Sequence, residues 1–246
     1  MRQLRKRPPH PPAERDGQAE QRILDAAHTV FLRDGTAGAR MQDIAAEAGV
    51  NSALLHYYFR TKARLSEAVF RRAAAQLLPS VIQVMASDEE LEQKVARVVT
   101  LELDHLSRTP YLPGYIISEL THHPERVRQL LSAVTGMTPE DIRPRVLTKL
   151  RQQLDAAVRA GTMRPIEPEQ FMANLLSLCI FPFAARPMIE TLLGMNQQGF
   201  ERFIERRREE LAPFFLNALR PASAKASAGQ AAFVKATAEA TEPKAR

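Results

Sequence analysis

The stretch Met41-Gln-Asp-Ile-Ala-Ala-Glu-Ala-Gly-Val-Asn-Ser-Ala-Leu-Leu-His-Tyr-Tyr-Phe59 decides the fold. A helix-turn-helix packs two short helices at a steep angle across a tight turn. That contact needs a small residue inside the first helix where the second crosses it, and Ala45 stands there. The turn needs a residue that tolerates positive φ, which Gly49 supplies. Apolar residues must point inward on both sides, as Ile44, Ala48, Val50, Leu55 and Phe59 can. Asn51 or Ser52 can cap the second helix through its side-chain oxygen. The spacing predicts helices over 41–48 and 52–59.

The second helix carries an unusual outer face. His56, Tyr57 and Tyr58 are consecutive, so at about 100° per residue they cannot all be buried. Tyr and His offer a flat apolar body with a hydrogen-bonding tip, suited to a phosphate or a base edge. Lys62 opens the next helix within reach of a DNA backbone, and Arg40 precedes a helix N-terminus whose dipole favours phosphate. With Gln42, Asn51, Ser52 and Ala53 these form the candidate DNA-contacting set. The alternative is a tyrosine pair that serves only the core and a Lys62 that is merely solvated.

Outward from this motif the chain reads as helical. Ile23, Leu24, Ala27, Val30 and Phe31 recur at helical spacing and predict a helix over 19–33, ended by Asp34-Gly35. A long helix follows from 61 into the Met85 region, with a kink expected at Pro79. Ser87-Asp-Glu-Glu90 reads as a capping box for the next helix, which ends near Thr109-Pro110. Shorter helices are expected at 112–121 and 124–134. Thr138-Pro139-Glu140-Asp141 opens another, reaching Gly161. Glu167-Pro168-Glu169 opens an apolar helix to about Phe181, and the last covers 196–219. No alternating Val/Ile/Thr run with hairpin turns occurs, so no sheet is expected. The expected fold is all-α: an N-terminal three-helix helix-turn-helix domain over 18–65, then a larger helical bundle over 66–220.

Composition bounds the class. The chain has 246 residues, 25% charged and 45% hydrophobic, the balance of a soluble globular protein. A net charge of +6 and a pI near 9.8 suit a polyanionic partner. The single cysteine, Cys179, excludes an internal disulfide and a Cys-based metal cluster, and fits a reducing cytoplasm. Its neighbours Leu175, Leu176, Leu178, Ile180 and Phe181 predict a buried, inert thiol. The basic start lacks the apolar stretch of a signal peptide. No uncharged apolar run reaches the roughly 18 residues of a membrane span, so no membrane partner is expected. Residues 1–17, with Arg2, Arg5, Lys6 and Arg7 before Pro8 and Pro9, read as a flexible arm. Such an arm either adds phosphate or minor-groove contacts or is a solvated terminus. Residues 221–246, rich in Ala, Ser, Lys, Thr and Glu, read as a disordered tail.

Residues 20–70 resemble the TetR family of regulators, whose usual pattern runs D-I-A-x-x-A-G-V-S-x-G-T-L-Y-x-Y-F-x-S-K-x-x-L. The chain matches it at Asp43-Ile44-Ala45, Ala48-Gly49-Val50, Leu55, Tyr58-Phe59, Lys62 and Leu65. It departs where the family's Thr before the second helix is Arg40 and its Ser after Gly-Val is Asn51. The family's Gly-Thr is Ala53-Leu54 here, and its first Tyr is His56. Two hydroxyls are lost, so operator preference should differ from other members, with contacts leaning on Tyr57, Tyr58 and Lys62.

The resemblance implies a bacterial, ligand-responsive transcription regulator, most often a repressor. It would bind a two-fold double-stranded DNA operator as a homodimer, and a small-molecule effector, partly apolar, would release it. The larger domain would bind effector and dimerise through the last two long helices. The interface candidates are Phe171, Leu175 and Leu178 on the first, and Phe200, Phe203, Ile204, Leu211, Phe214 and Phe215 on the last. Arg206-Arg207-Arg208 interrupts that stripe as a solvated face or a set of interface salt-bridge donors. Effector-pocket candidates are Tyr111, Tyr115, Met137, Phe181, Phe183 and Met188, with Glu119 and His122-His123 as polar options. Adjacent histidines on a helix diverge, so no metal site is expected, and no cofactor.

Two other classes compete. An enzyme on a helical bundle would need paired Glu-x-x-His ligands, a nucleophile elbow or a Gly-rich phosphate loop, none of which occurs. No enzyme activity is therefore expected. An architectural DNA binder would use the second domain for assembly alone.

Overall fold

A computed structural model describes residues 12–122 and 125–221, and these residues form helices without a strand. The small N-terminal layer is α1 (Pro12–Gly38), α2 (Met41–Glu47) and α3 (Ser52–Tyr58), joined by the start of α4 (Lys62–Ala86). The larger bundle adds α5 (Leu91–Arg108), α6 (Leu112–His122), α7 (Glu125–Thr135) and α8 (Pro139–Arg159). It closes with α9 (Pro168–Ala184), α10 (Arg186–Leu192) and α11 (Gln197–Ala218). The expected basic cluster at 2–7, His123 and the tail beyond 221 lie outside the described residues. Residues 12–17, read as part of a flexible arm, are the first turns of α1.

Helix ends follow local chemistry where a side chain supplies it. Gly35, at φ 68° and ψ 166°, breaks α1 where the sequence placed its end. Thr138 and Asp141 form a reciprocal capping box: Thr138 Oγ1 accepts from the Asp141 N–H at 3.3 Å, and the Asp141 carboxylate accepts from the Thr138 N–H at 3.0 Å. Ser87 is a correction. Its hydroxyl donates to the Val84 carbonyl at 2.8 Å and so closes α4, while Glu90 stands at the start of α5 without a side-chain cap. The orphan carbonyls of a long helix compete for the same hydroxyl that a capping box would use. Helix α4 continues through Pro79 to Ala86. Helix α10 was not anticipated, and its start has no side-chain cap to signal it.

Apolar burial divides the molecule into two cores. The smaller packs Ile23, Val30 and Phe31 of α1 with Ile44, Leu55, Phe59, Leu65 and Val69. The larger begins at Phe70 and runs through Val95, Val99, Leu103, Leu150, Phe171 and Phe215. Each such side chain contributes about 1.5–3 kcal/mol by leaving water. The division falls inside α4, between Val69 and Phe70, rather than at residue 65. One continuous rod therefore belongs to both cores, and no linker composition marks the boundary.

One charged side chain inside the larger core is held by specific partners. Lys94 is fully buried, and its Nζ donates to the Met85 carbonyl at 3.0 Å and to Gln153 Oε1 at 2.8 Å. Gln153 Nε2 donates onward to the Glu89 carbonyl at 2.7 Å, which ties α5 and α8 to the end of α4. Burial holds the Lys94 ammonium below its usual range. Cys179 is buried and its thiol is pushed up to about 12, as the inert reading of its neighbours required.

Candidate nucleic-acid interface

The turn between α2 and α3 is built from backbone geometry. Gly49 sits at φ +62°. The Val50 N–H donates to the Ala45 carbonyl at 3.0 Å and the Gly49 N–H to the Ala46 carbonyl at 3.1 Å. This Schellman pair satisfies the last carbonyls of α2 and turns the chain sharply. Asn51 then caps α3, its Oδ1 accepting from the Leu54 N–H at 2.7 Å, so the choice between Asn51 and Ser52 falls to Asn51. A Cβ at Gly49 would meet no atom within 4 Å, so only the left-handed backbone resists substitution. Gly49→Ala should cost about 1–2 kcal/mol, read as a lower urea midpoint with unchanged slope. Wild-type stability in that variant would contradict this account of the turn.

With Leu55 and Phe59 buried, α3 presents one outer face. Ser52, Ala53, His56 and Tyr57 lie on it, and Tyr57 is 74% exposed. Tyr57 meets Tyr58 edge to face at 5.3 Å. Tyr58 is half-buried against the small core, so the pair is neither wholly core nor wholly surface. His56 Nδ1 lies 3.4 Å from the Arg60 carbonyl. Arg40 and Gln42 are exposed at the start of α2. Lys62 Nζ donates to the Ala37 carbonyl at 2.7 Å, which anchors its stem and leaves other ammonium protons for a second acceptor. Arg60 and Arg64 are exposed beside it. The sequence reading passed over both, although a basic residue flanking the matched Lys62 was the available signal.

The joint to the larger domain is aromatic and polar. Tyr111 Oη and His28 Nδ1 are 2.6 Å apart, and the Tyr111 ring meets Phe31 edge to face at 5.7 Å. Arg72 of α4 pairs with Asp25 of α1 at 2.7 Å. Burial raises the Tyr111 phenol to about 12, so it stays protonated.

The effector-pocket candidates scatter. Tyr111 lies in the domain joint, and Tyr115 is half-buried against Phe70, with ring centroids 4.8 Å apart. Phe183 is core, packed on Phe200 at 5.9 Å. Phe181 and Met188 are exposed, and Met137 is half-buried. The side chains of Glu119, His122 and His123 lie outside those described. An apolar cleft of about 330 Å³ opens elsewhere, between α4, α7, α8 and α9. Val81, Met85, Leu131, Ile142, Val146 and Met172 line it, with Arg143 the one charged residue of its wall. None of the candidates lines that cleft.

The interface candidates divide by face, which is a further correction. Phe171, Leu175, Phe200, Ile204, Leu211 and Phe215 are buried in the protomer's own core, with Phe171 on Phe215 at 5.0 Å, and are closed to a second copy. The stripe of α11 packs against α5. Leu178 and Phe203 are half-buried and Phe214 is 62% exposed. Arg207 donates to the Leu178 carbonyl at 2.8 Å and Arg208 pairs with Asp104 at 2.7 Å, so two of the three arginines brace α11 within the chain.

Comparison with known proteins agrees with this architecture. Residues 23–69 match the model for bacterial regulatory proteins of the tetR family. The HTH-type transcriptional repressor SCO4008 of Streptomyces coelicolor is 34% identical over 119 residues, covering 46% of this chain and 60% of that protein. The HTH-type transcriptional repressor NicS of Pseudomonas putida is 26% identical over 134 residues, covering 54% of this chain and 63% of that protein. The chain thus spans less than two thirds of the length of either relative. A transcriptional regulator of the TetR/AcrR family from Thermobifida fusca shares the fold, with a TM-score of 0.53 at 15% identity. The match covers 82% of this chain and 98% of that one. The likeness to that family is thus carried by residues 23–69, the helix-turn-helix head.

Proposed function

We propose that this chain is a repressor of the TetR type, ligand-responsive and binding a two-fold DNA operator as a homodimer. A small, partly apolar molecule in the helical domain would release it. The observation that carries the reading is the outer face of α3: a strongly exposed Tyr57 beside Ala53 and His56, on a helix whose inward residues are all packed. Exposed aromatics are costly in water, and a basic surround from Arg40, Arg60 and Lys62 suits a phosphate backbone. Two copies would set two such helices about 34–36 Å apart, in successive major grooves.

The release step is supported by α4. Its residues Val81, Ile82 and Met85 line the apolar cleft, while Leu65 and Val69 of the same helix belong to the small core. A ligand that prefers one position of this rod shifts the spacing of two heads and lowers the population that fits DNA. Dimerisation would use apolar residues of α9, α10 and α11 that are exposed in the single chain, Phe181, Leu192 and Phe214 among them. The test is nuclease protection of DNA flanking the chain's own gene. A protected two-fold site, lost on adding an apolar compound that raises the melting temperature, is the expected result. Absence of any two-fold protection would overturn the reading.

A further inference from the structure

We propose that the crevice at the joint of the two cores is a binding site for a small oxyanion, a carboxylate or phosphate group. It has a volume of about 210 Å³. His28 of α1, Arg72 and Gln76 of α4, and His105, Arg108 and Tyr111 around the α5–α6 turn line it. No carboxylate is among the lining residues. Arg72 is partly neutralised by Asp25, whereas Arg108 is exposed and makes no ion pair among the described residues.

The second observation is His105. It is only 4% exposed, and its Nε2 makes no hydrogen bond. Buried ring nitrogens are ordinarily satisfied, and this residue of the cavity wall leaves one without a partner. Burial and Arg108 hold the His105 ring below its usual pKa, so a neutral ring can present Nε2–H as a donor. His28 is likewise depressed by burial. His28 Nδ1 and the Tyr111 hydroxyl share one hydrogen bond at 2.6 Å; in the tautomer where the Tyr111 O–H donates, the His28 ring proton sits on Nε2. The wall therefore offers donors and positive charge, which an oxyanion accepts and a cation or an apolar group does not.

The C-terminal carbonyls of α5 oppose an anion here. Thr109 blunts that effect, its Oγ1 and backbone N–H both donating to the His105 carbonyl at 2.8 and 3.0 Å. An anion in the crevice would bridge α1, α4 and the α5–α6 turn, and so both domains. The chemistry is opposite to that of the apolar cleft, so the site does not depend on the effector reading.

The test follows the imidazole proton–nitrogen resonances of the full chain in chloride buffer at constant ionic strength. Inorganic phosphate and acetate are titrated in separately. His28 and His105 are expected to shift saturably with at least one of them, while the exposed His56 on α3 does not. Saturation by phosphate alone assigns a phosphate group, and by acetate alone a carboxylate. Arg108→Gln, a change at an exposed position, should weaken binding at least about tenfold. No saturable shift with either anion, or unchanged affinity in Arg108→Gln, overturns the proposal. DNA binding is not read in this measurement, so its failure elsewhere leaves the outcome intact.

Discussion

Tyr57→Ala is expected to weaken operator binding by at least about thirtyfold while leaving the fold as stable as before. The two halves of this expectation have separate origins. Tyr57 is 74% exposed and touches the rest of α3 mainly through the edge-to-face contact with Tyr58. Losing it should change stability by no more than about 0.5 kcal/mol, as for other surface sites. Against DNA the same ring supplies an apolar face and a hydroxyl, worth about 1–3 kcal/mol per contact. A two-fold complex loses it twice, and each 1.4 kcal/mol is about tenfold. Phe59→Ala makes the contrast: it removes a buried ring of the small core and should cost about 3–5 kcal/mol of stability. Fluorescence anisotropy on the protected DNA, paired with thermal melts, separates the two. Operator affinity in Tyr57→Ala equal to wild type would remove the α3 face from the interface.

Glu102→Gln should stabilise the protein at neutral pH and above, with almost no effect in acid. Glu102 is 4% exposed within the larger core, and burial pushes its carboxyl from the usual 4.5 up to about 7. A carboxyl raised by burial stays protonated in the folded state while the unfolded chain has already released its proton. Between pH 4.5 and about 7 the folded state therefore binds more protons, and stability falls as pH rises through that window. At about 1.4 kcal/mol per unit the loss reaches about 3 kcal/mol and levels off above pH 7. Glutamine, neutral throughout, escapes it. Melting temperatures of wild type and Glu102→Gln should coincide near pH 4.5 and diverge by roughly 6–12 °C at pH 8. A gap that is the same at both pH values would show that burial of charge is not what Glu102 contributes.

How much was legible differs sharply between the two domains. In the helix-turn-helix each requirement is local. A left-handed turn demands Gly49, a side-chain cap demands Asn51, and a close crossing admits Ala45. Residues a few positions apart settle these matters, so periodicity and turn chemistry suffice. The helix start at Thr138-Pro139 and the break at Gly35 were readable for the same reason. Ser87 was not, because a hydroxyl between two helices can serve either, and its rotamer depends on both.

The helical domain resisted reading where helices are apolar on several sides. Leu175, Leu176, Leu178, Cys179, Ile180 and Phe181 run around α9, and such a sequence has no single stripe to mark its inner face. Six aromatic and aliphatic residues expected between protomers proved to be core, and only the arrangement of α5, α9 and α11 could decide that.

By itself, then, the sequence determined an all-helical fold with a helix-turn-helix head from Ile23 to Leu65, and the inward residues of that head. Tertiary structure alone decided which side of α9 and α11 is free, where the apolar cleft opens, and that His28 meets Tyr111 across 83 positions of chain. Local backbone geometry is encoded within a turn or two of helix. Cavities and joints arise from surfaces that distant segments bring together, and no spacing within one segment records them.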